Sequence, residues 1–184
     1  MIRVTEALQS AGLIDFSRVR EDIMERAQAF GTAAHKACEL HDKGTLILAS
    51  LSEPLIPYLS GWKKFLKDYN ITIDPNEMEK RFVSKKWGFS GTPDRWPLIG
   101  RKRTVVDIKT STVMYPPTAI QTAGYEILLD ENGIKIHQRW GVQLNEKGTY
   151  KVEPYTDPVD RTVFLSALNV CKWRKRHKCH KKKE

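Results

Sequence analysis

Apolar residues recur every three or four positions in two stretches near the start of the chain, which is the period of an α-helix. The first stretch predicts a helix over about 18–41, capped by Ser17 and buried through Ile23, Ala27, Phe30, Ala34 and Ala37. Gly31 interrupts this helix at a cost of about 1 kcal/mol relative to alanine, which indicates close approach of another backbone. The second stretch predicts a helix over 54–69 with an apolar face of Leu55, Tyr58, Leu59, Trp62, Phe65, Leu66 and Tyr69.

The middle of the chain changes to the two-residue alternation of β-strands. Strands are expected in three consecutive stretches, at about 79–84, 89–96 and 104–110. The remaining elements are a helix, two strands and a final helix, at about 117–129, 134–144, 149–155 and 157–173. Helices and strands in this order predict an α/β fold, with a central mixed β-sheet of about five strands flanked by helices.

Length and composition fit one globular domain. The chain has 184 residues, 40% of them hydrophobic and 29% charged, so it is long enough to bury a core. We expect a single domain over 1–170 and a basic tail over 171–184. The tail holds eight lysines and arginines against one glutamate, so it carries +7 of the formal charge of +9. A polyanionic partner would suit this tail, but on charge alone a solvated end without a partner fits equally well.

Two features bear on where the protein works. The sequence has no apolar run of membrane-spanning length, and its start, MIRVTEALQS, lacks the apolar stretch of a secretory signal. Cys38, Cys171 and Cys179 form no paired framework, which is typical of a reducing compartment. We therefore expect a cytoplasmic protein that does not bind a membrane.

Charged residues stand at the ends of two neighbouring predicted strands. Asp107 and Lys109 are two residues apart and therefore point to the same side of their strand, while Ile108 points to the other. Asp94 belongs to the preceding strand. Carboxylates are costly in apolar surroundings unless a cation compensates them, and such oxygen ligands suit Mg²⁺ or Mn²⁺. The stretch therefore predicts a divalent-metal site.

Two helices add further candidate side chains. His35 and Glu39 are neighbours one helical turn apart. Considered alone, His35 is better interpreted as a semi-buried histidine that hydrogen-bonds to Glu39. If its helix packs on the sheet that carries the two aspartates, metal ligation by His35 becomes the better interpretation. Gln121 and Tyr125 share one face of the following helix, which by itself indicates little.

Together these residues resemble the PD-(D/E)XK nuclease superfamily, in its RecB-like and λ-exonuclease-like branch, often found in phage and recombination proteins. Members carry an aspartate at the end of one strand, Asp/Glu-x-Lys on the next, Gln-x-x-x-Tyr on a following helix and a histidine on an upstream helix. Asp-x-Lys alone occurs by chance in many chains, whereas four motifs in order are specific. The resemblance implies a restriction-endonuclease-like core. The matching segments are Gly31-Thr-Ala-Ala-His35, Gly91-Thr-Pro-Asp94, Asp107-Ile-Lys109 and Gln121-Thr-Ala-Gly-Tyr125.

The resemblance also implies a ligand set for the metal. Asp94 and Asp107 would bind one or two Mg²⁺ or Mn²⁺ ions, with the backbone carbonyl of Ile108 as a further ligand. His35 would complete one site, and its imidazole would shift the preference somewhat toward manganese.

Other matched residues would act on the reacting groups. Lys109 would orient or deprotonate the attacking water, or stabilise developing charge. Gln121 and Tyr125 would position that water or contact the scissile strand. Glu39 and Glu79 are candidates for additional metal ligands or for residues that support the ligands.

The basic end, CKWRKRHKCH, contains two cysteines and two histidines. It has no Cys-x-x-Cys pair, and its spacing fits no ordinary zinc finger, so a partly disordered arm that binds phosphates is the better interpretation. Some members of the family hold an iron–sulfur cluster through four cysteines; with three cysteines, none is expected here. The DNA-binding candidates are Arg174, Lys175, Arg176 and Lys178.

The sequence therefore predicts a metal-dependent DNA nuclease. The leading hypothesis is an exonuclease in recombination, repair or phage DNA processing, located in the host cytoplasm if a phage encodes it. A structure-specific or nicking endonuclease with the same core is one alternative, and a nucleic-acid-binding protein with a degenerate metal site is another. The expected partner is DNA, double- or single-stranded; a recombination protein and further copies of the chain are compatible partners.

Overall fold

The computed structural model of the protein describes residues 1–17 and 19–179. The helices in these ranges are α1 (Val4–Ser10), α2 (Glu21–Asp42), α3 (Ile56–Asp68), α4 (Pro117–Glu131) and α5 (Val159–Arg176). The strands are β1 (Ile2–Arg3), β2 (Phe82–Ser84), β3 (Phe89–Gly91), β4 (Leu98–Ile99), β5 (Lys102–Lys109), β6 (Gln138–Leu144) and β7 (Tyr150–Pro154). None of the described helices has the length and apolar character needed to cross a membrane.

The strands form two mixed sheets. The larger has the order β4-β5-β6-β7, with β5 and β6 parallel and the two outer pairs antiparallel. The smaller has the order β1-β3-β2, with β1 parallel and β2 antiparallel to β3. This arrangement confirms the predicted α/β class, a mixed sheet flanked by helices.

Strand β5 runs between two hydrophobic cores. Val105 belongs to the core formed with α1, α4 and α5, whereas Val106 and Ile108 belong to the core formed with α2 and α3. This is the two-residue alternation that the sequence predicts, and all three valine and isoleucine side chains are fully buried. Asp107 therefore lies on the same side of the sheet as α4.

The segment before β5 is less regular than predicted. The strand expected over 89–96 ends at Gly91, and the one expected over 79–84 is reduced to Phe82–Ser84. Pro93 has no backbone N–H to donate to a ladder, and Glu79 has a positive φ of 46° that an extended strand does not allow. Pairing resumes only at Arg95, which forms single bridges with Met78 and Val106.

Helix α2 starts later than predicted. It begins at Glu21 with Arg20 as its N-cap, whereas Ser17 donates its backbone N–H to Asp15 Oδ1 at 2.9 Å in a turn before the helix. Ile23 is 51% exposed, so the predicted apolar face reaches the core only in the second half of the helix. Its buried residues are Ala34, Ala37 and Cys38.

Helix α5 continues into the predicted basic tail. It runs through Arg176 instead of ending near 173, because Cys171 on its inner face is still buried against α1 and α4. The residues predicted to form a partly disordered arm are therefore helical as far as Arg176. Residues 180–184 of the predicted tail lie outside the described part of the chain.

Candidate active site

Asp94 and His35 meet at the backbone of Ile108. Asp94 follows β3 in a turn, and its Oδ2 accepts a 2.7 Å hydrogen bond from the Ile108 N–H. His35, on α2, donates from Nε2 to the Ile108 carbonyl at 3.0 Å, and its Nδ1 lies 3.5 Å from Asp94 Oδ1. The structure therefore brings a histidine and a carboxylate from distant parts of the chain to the buried end of β5.

His35 and Asp94 shift each other's pKa in opposite directions. Burial opposes protonation of His35, but the Asp94 carboxylate outweighs it and raises the pKa of His35 to about 9. Burial likewise opposes ionisation of Asp94, but His35, Lys109 and the Ile108 N–H lower the pKa of Asp94 to about 2. At neutral pH the two groups form an imidazolium–carboxylate pair.

Asp107 and Lys109 form a second buried pair beside the first. Lys109 Nζ lies 2.7 Å from Asp107 Oδ2, and Asp107 is 1% exposed. Burial raises the pKa of Asp107; Lys109 counteracts this rise and Asp94 adds to it. Burial favours neutral Lys109, but the two carboxylates outweigh it and raise the pKa of Lys109. Lys109 is therefore an ammonium ion in this arrangement.

Helix α4 extends this pair into a hydrogen-bonded chain. Lys109 Nζ donates to Gln121 Oε1 at 3.1 Å, and Gln121 Nε2 donates to the Tyr125 hydroxyl at 2.9 Å. Burial raises the pKa of Tyr125, so its hydroxyl stays neutral. The one-turn spacing of Gln121 and Tyr125 thus places both side chains toward Lys109. The structure thus brings side chains from all four predicted motif segments together.

Glu79 joins the site, but Glu39 does not. The donor atoms of His35, Glu79 and Asp94 lie within 4.8 Å of one another, and this is the group of possible metal ligands found among residues 1–17 and 19–179. Asp107 is not a member of this group. Glu39 instead pairs with Lys36 at 2.8 Å and Lys43 at 2.5 Å, so its predicted contact with His35 is not seen.

Arg95 is a central residue that the sequence analysis missed. Its side chain is fully buried, and Nη1 donates to Glu79 Oε1 at 3.0 Å and to the Asp94 carbonyl at 2.7 Å. Nε donates to Asp42 Oδ2 at 2.8 Å, and Asp42 Oδ1 accepts from Trp62 Nε1 at 2.8 Å. Asp42 lies two turns after His35 on α2, so one helix face supplies both. The signal in the sequence was the position of Arg95 between Asp94 and the apolar Trp96, which indicates that the arginine is buried beside the site.

The donor set fits a divalent cation. It combines one imidazole with carboxylates, the ligands that Mg²⁺ and especially Mn²⁺ accept. Asp107 Oδ2 is buried, and the Lys109 ammonium 2.7 Å away compensates its charge. The three cysteines are unpaired and none belongs to the ligand group.

Two of the four predicted DNA-binding residues contact helix α1 instead. Arg174 Nη1 donates to the Ser10 carbonyl, and Lys175 Nζ lies 2.5 Å from Glu6 Oε1. Arg176 and Lys178 make no ion pair with the described residues.

No protein-family model matches the chain, and no curated protein matches its sequence. Solved structures that are similar to it include three that cover 80–97% of this chain. SSO0001 has 15% identity and a TM-score of 0.48 over 94% of this chain and 75% of that one. A candidate exonuclease from Eubacterium rectale has 7% identity and a TM-score of 0.49 over 80% and 65%. The alkaline exonuclease LHK-Exo from Laribacter hongkongensis has 11% identity and a TM-score of 0.46 over 97% and 93%. At such values the likeness transfers no activity and no site residue to this chain.

Proposed function

We propose that the protein is a metal-dependent DNA nuclease that hydrolyses phosphodiester bonds. The observation that carries this proposal is the partly buried cluster in which the His35–Glu79–Asp94 donor set lies beside the Asp107–Lys109 ion pair. Phosphodiester hydrolysis needs charge neutralisation at the phosphate and a positioned water, and these two groups of residues match those two needs.

The metal would be held by His35, Glu79 and Asp94, with Asp107 and the Ile108 carbonyl as further ligands. When bound, Mg²⁺ or Mn²⁺ supplies Lewis-acid stabilisation of negative charge on the phosphate. Arg95 keeps Glu79 and the Asp94 backbone in place through its two Nη1 hydrogen bonds. We expect no iron–sulfur cluster.

Lys109 would hold the attacking water or stabilise developing charge as a hydrogen-bond donor. Its ammonium donates to Gln121 Oε1 and lies 2.7 Å from Asp107 Oδ2, an arrangement that suits a role as donor. Asp107 and Gln121 restrict the ammonium from two sides, and Tyr125 fixes the Gln121 amide so that its oxygen faces Lys109.

Exonuclease action in recombination, repair or phage DNA processing remains the leading proposal, in the cytoplasm of the cell. A nicking or structure-specific endonuclease with the same site would differ in accepting DNA without ends. Incubation with matched linear and covalently closed circular DNA distinguishes them: we expect degradation of the linear form alone, and nicking of the circle would contradict the exonuclease proposal.

The hydrolytic site itself is tested by Asp107→Asn and Lys109→Ala. Each variant should lose activity by about a hundredfold or more in a Mn²⁺ assay on linear DNA, because each removes part of the charge arrangement at the phosphate. Binding of the same DNA in EDTA should change little. Cleavage by both variants at the wild-type rate would contradict the site assignment. DNA binding by a wild-type protein that never cleaves would instead indicate the alternative, a nucleic-acid-binding protein.

DNA contacts outside the site are proposed for the predicted basic residues Arg174, Lys175, Arg176 and Lys178. Arg174 and Lys175 would first have to leave their partners on α1. Arg176 and Lys178 are exposed and make no ion pair with the described residues, so they are the stronger candidates.

A further inference from the structure

The last turns of α5 present an aromatic and basic face to solvent. Asn169, Trp173 and Arg176 are spaced four and three residues apart, and Lys172 lies one turn before Arg176, so all four share one side of the helix. Together with Val170 they line a shallow depression of about 390 Å³. Trp173 is 52% exposed and stacks on His177 with a centroid distance of 4.5 Å.

The turn between β2 and β3 continues this face. Lys85 and Lys86 are exposed in the turn, and the Lys172 ammonium lies 3.9 Å from the position that a Cβ on Gly88 would take. Lys86 Nζ lies 5.1 Å from the centre of the Trp87 ring. We define the α5 patch as Lys85, Lys86, Lys172, Trp173 and Arg176.

The four cations of the α5 patch have no ion-pair partner among the described residues, whereas the intervening Arg174 and Lys175 are engaged with α1. On α5, Arg174 and Lys175 thus contact α1, whereas Lys172 and Arg176 make no ion pair with the described residues. Unpaired cations around an exposed indole match a ligand with phosphates and accessible base faces.

The patch is close to the active site along the chain. Gly88 and Asp94 are six positions apart in the chain, so their separation is at most about 22 Å. One strand of B-form DNA has a phosphate about every 3.4 Å, so about seven nucleotides cover this upper bound. A DNA molecule in the site is thus long enough to reach the patch.

We propose that the α5 patch binds a single-stranded segment of the same DNA substrate that is cut in the active site. Lys172, Arg176 and the two turn lysines contact phosphates, and Trp173 stacks on an unpaired base. Duplex DNA is a poorer occupant because its base faces are covered except at its ends. This inference rests on the proposed nuclease function, since it assigns the same substrate to a second surface.

The test measures DNA binding without cleavage. The full-length protein in EDTA is titrated into a fluorescent oligo-dT and into a hairpin duplex at several salt concentrations. Trp173→Ala should weaken oligo-dT binding roughly tenfold and hairpin binding much less, because stacking requires an exposed base. The double variant Lys172→Gln/Arg176→Gln should weaken oligo-dT binding. It should also reduce the slope of log affinity against log salt concentration by about 1.4, because each lost phosphate contact of a single strand contributes about 0.7.

Lys63→Gln/Lys67→Gln is the matched control, because it removes the same charge from α3, where both lysines are exposed and make no ion pair with the described residues. It should leave the salt slope of oligo-dT binding unchanged. Equal effects of the two double variants, or wild-type binding by the patch variants, would overturn the inference. Equal loss of oligo-dT and hairpin binding in Trp173→Ala would overturn the stacking role. Those outcomes leave the nuclease proposal standing, since that proposal is judged by cleavage in Asp107→Asn and Lys109→Ala.

Discussion

The His35 ring lies between the Asp94 carboxylate and the Ile108 carbonyl and contacts both through its two nitrogens. Because its pKa is raised to about 9, the ring is charged at neutral pH and compensates the buried Asp94. A divalent cation bound by these groups would take over that compensation, and a ligating imidazole must be neutral. The site is therefore already assembled around a positive charge.

Arg95 gives the sharpest prediction at the residue scale. Replacing it by methionine removes its bonds to Glu79, to the Asp94 carbonyl and to Asp42. Arg95→Met should weaken Mn²⁺ binding about 10- to 100-fold, as loss of groups that orient ligands typically does. It should also destabilise the fold by about 3–5 kcal/mol, because Asp42 loses its buried partner. Calorimetric Mn²⁺ titration and denaturant unfolding measure the two effects.

Arg139 provides the control for that experiment. It is also buried and pairs with Asp160 at 2.9 Å and Glu126 at 3.2 Å, but none of its partners belongs to the metal-ligand group. Arg139→Met should cost a similar amount of stability and leave Mn²⁺ affinity unchanged. If both variants lower the affinity equally, Arg95 stabilises the fold without orienting the ligands.

At the scale of single residues, the sequence allowed the motif side chains to be chosen but not Arg95. Residue type and short spacing were enough for Asp107 with Lys109 and for Gln121 with Tyr125. Arg95 depends on Asp42, 53 positions earlier, and a single sequence contains no periodicity that joins them. Glu39 was chosen from its spacing to His35, but it pairs with lysines instead. Lys36 and Lys43 lie three and four residues from Glu39, so the same helical spacing allows these contacts equally well.

At the scale of elements, periodic segments were predicted well and the irregular segment was not. Helices α3 and α4 and strand β5 lie within a few residues of their predicted positions, because their apolar residues repeat regularly. Strands are predicted over 79–84 and 89–96 because apolar alternation does not reveal the break at Pro93 or the positive φ of Glu79. That irregular segment supplies Glu79, Asp94 and Arg95 to the site.

Two glycines give opposite predictions at this scale. A Cβ on Gly91 would lie 2.9 Å from Leu128 Cδ1 and 3.0 Å from Tyr125 Cε1, so Gly91→Ala should destabilise the fold by about 1–3 kcal/mol through overpacking. A Cβ on Gly31 would meet Thr110 Oγ1 at an ordinary 3.6 Å. The close backbone approach predicted for Gly31 is not seen, and Gly31→Ala should stabilise α2 by about 0.5–1 kcal/mol.

Thermal unfolding of both alanine variants in EDTA checks these signs without contributions from metal or DNA. A lower melting temperature for Gly31→Ala would show that α2 approaches its neighbours more closely than the structure indicates. An unchanged melting temperature for Gly91→Ala would show that α4 yields to the added methyl group.

At the scale of the whole molecule, the site joins the two cores. Strand β5 contributes Val105 to one core and Val106 and Ile108 to the other, and the charged groups emerge where its burial ends. Helix α2 brings His35 from one side of the sheet, and α4 brings Gln121 and Tyr125 from the other. The site therefore depends on the docking of both layers, which explains why its assembly could be expected from family motifs but its geometry could not.

The most direct test of the central claim is the position of Mn²⁺ in crystals soaked with that ion, read from its anomalous scattering. We predict a peak within about 2.0–2.3 Å of a carboxylate oxygen of Asp94 and a nitrogen of His35, with Glu79 or Asp107 completing the coordination. Absence of a peak at this cluster at millimolar Mn²⁺, in a protein that still cleaves DNA, would contradict the proposed site.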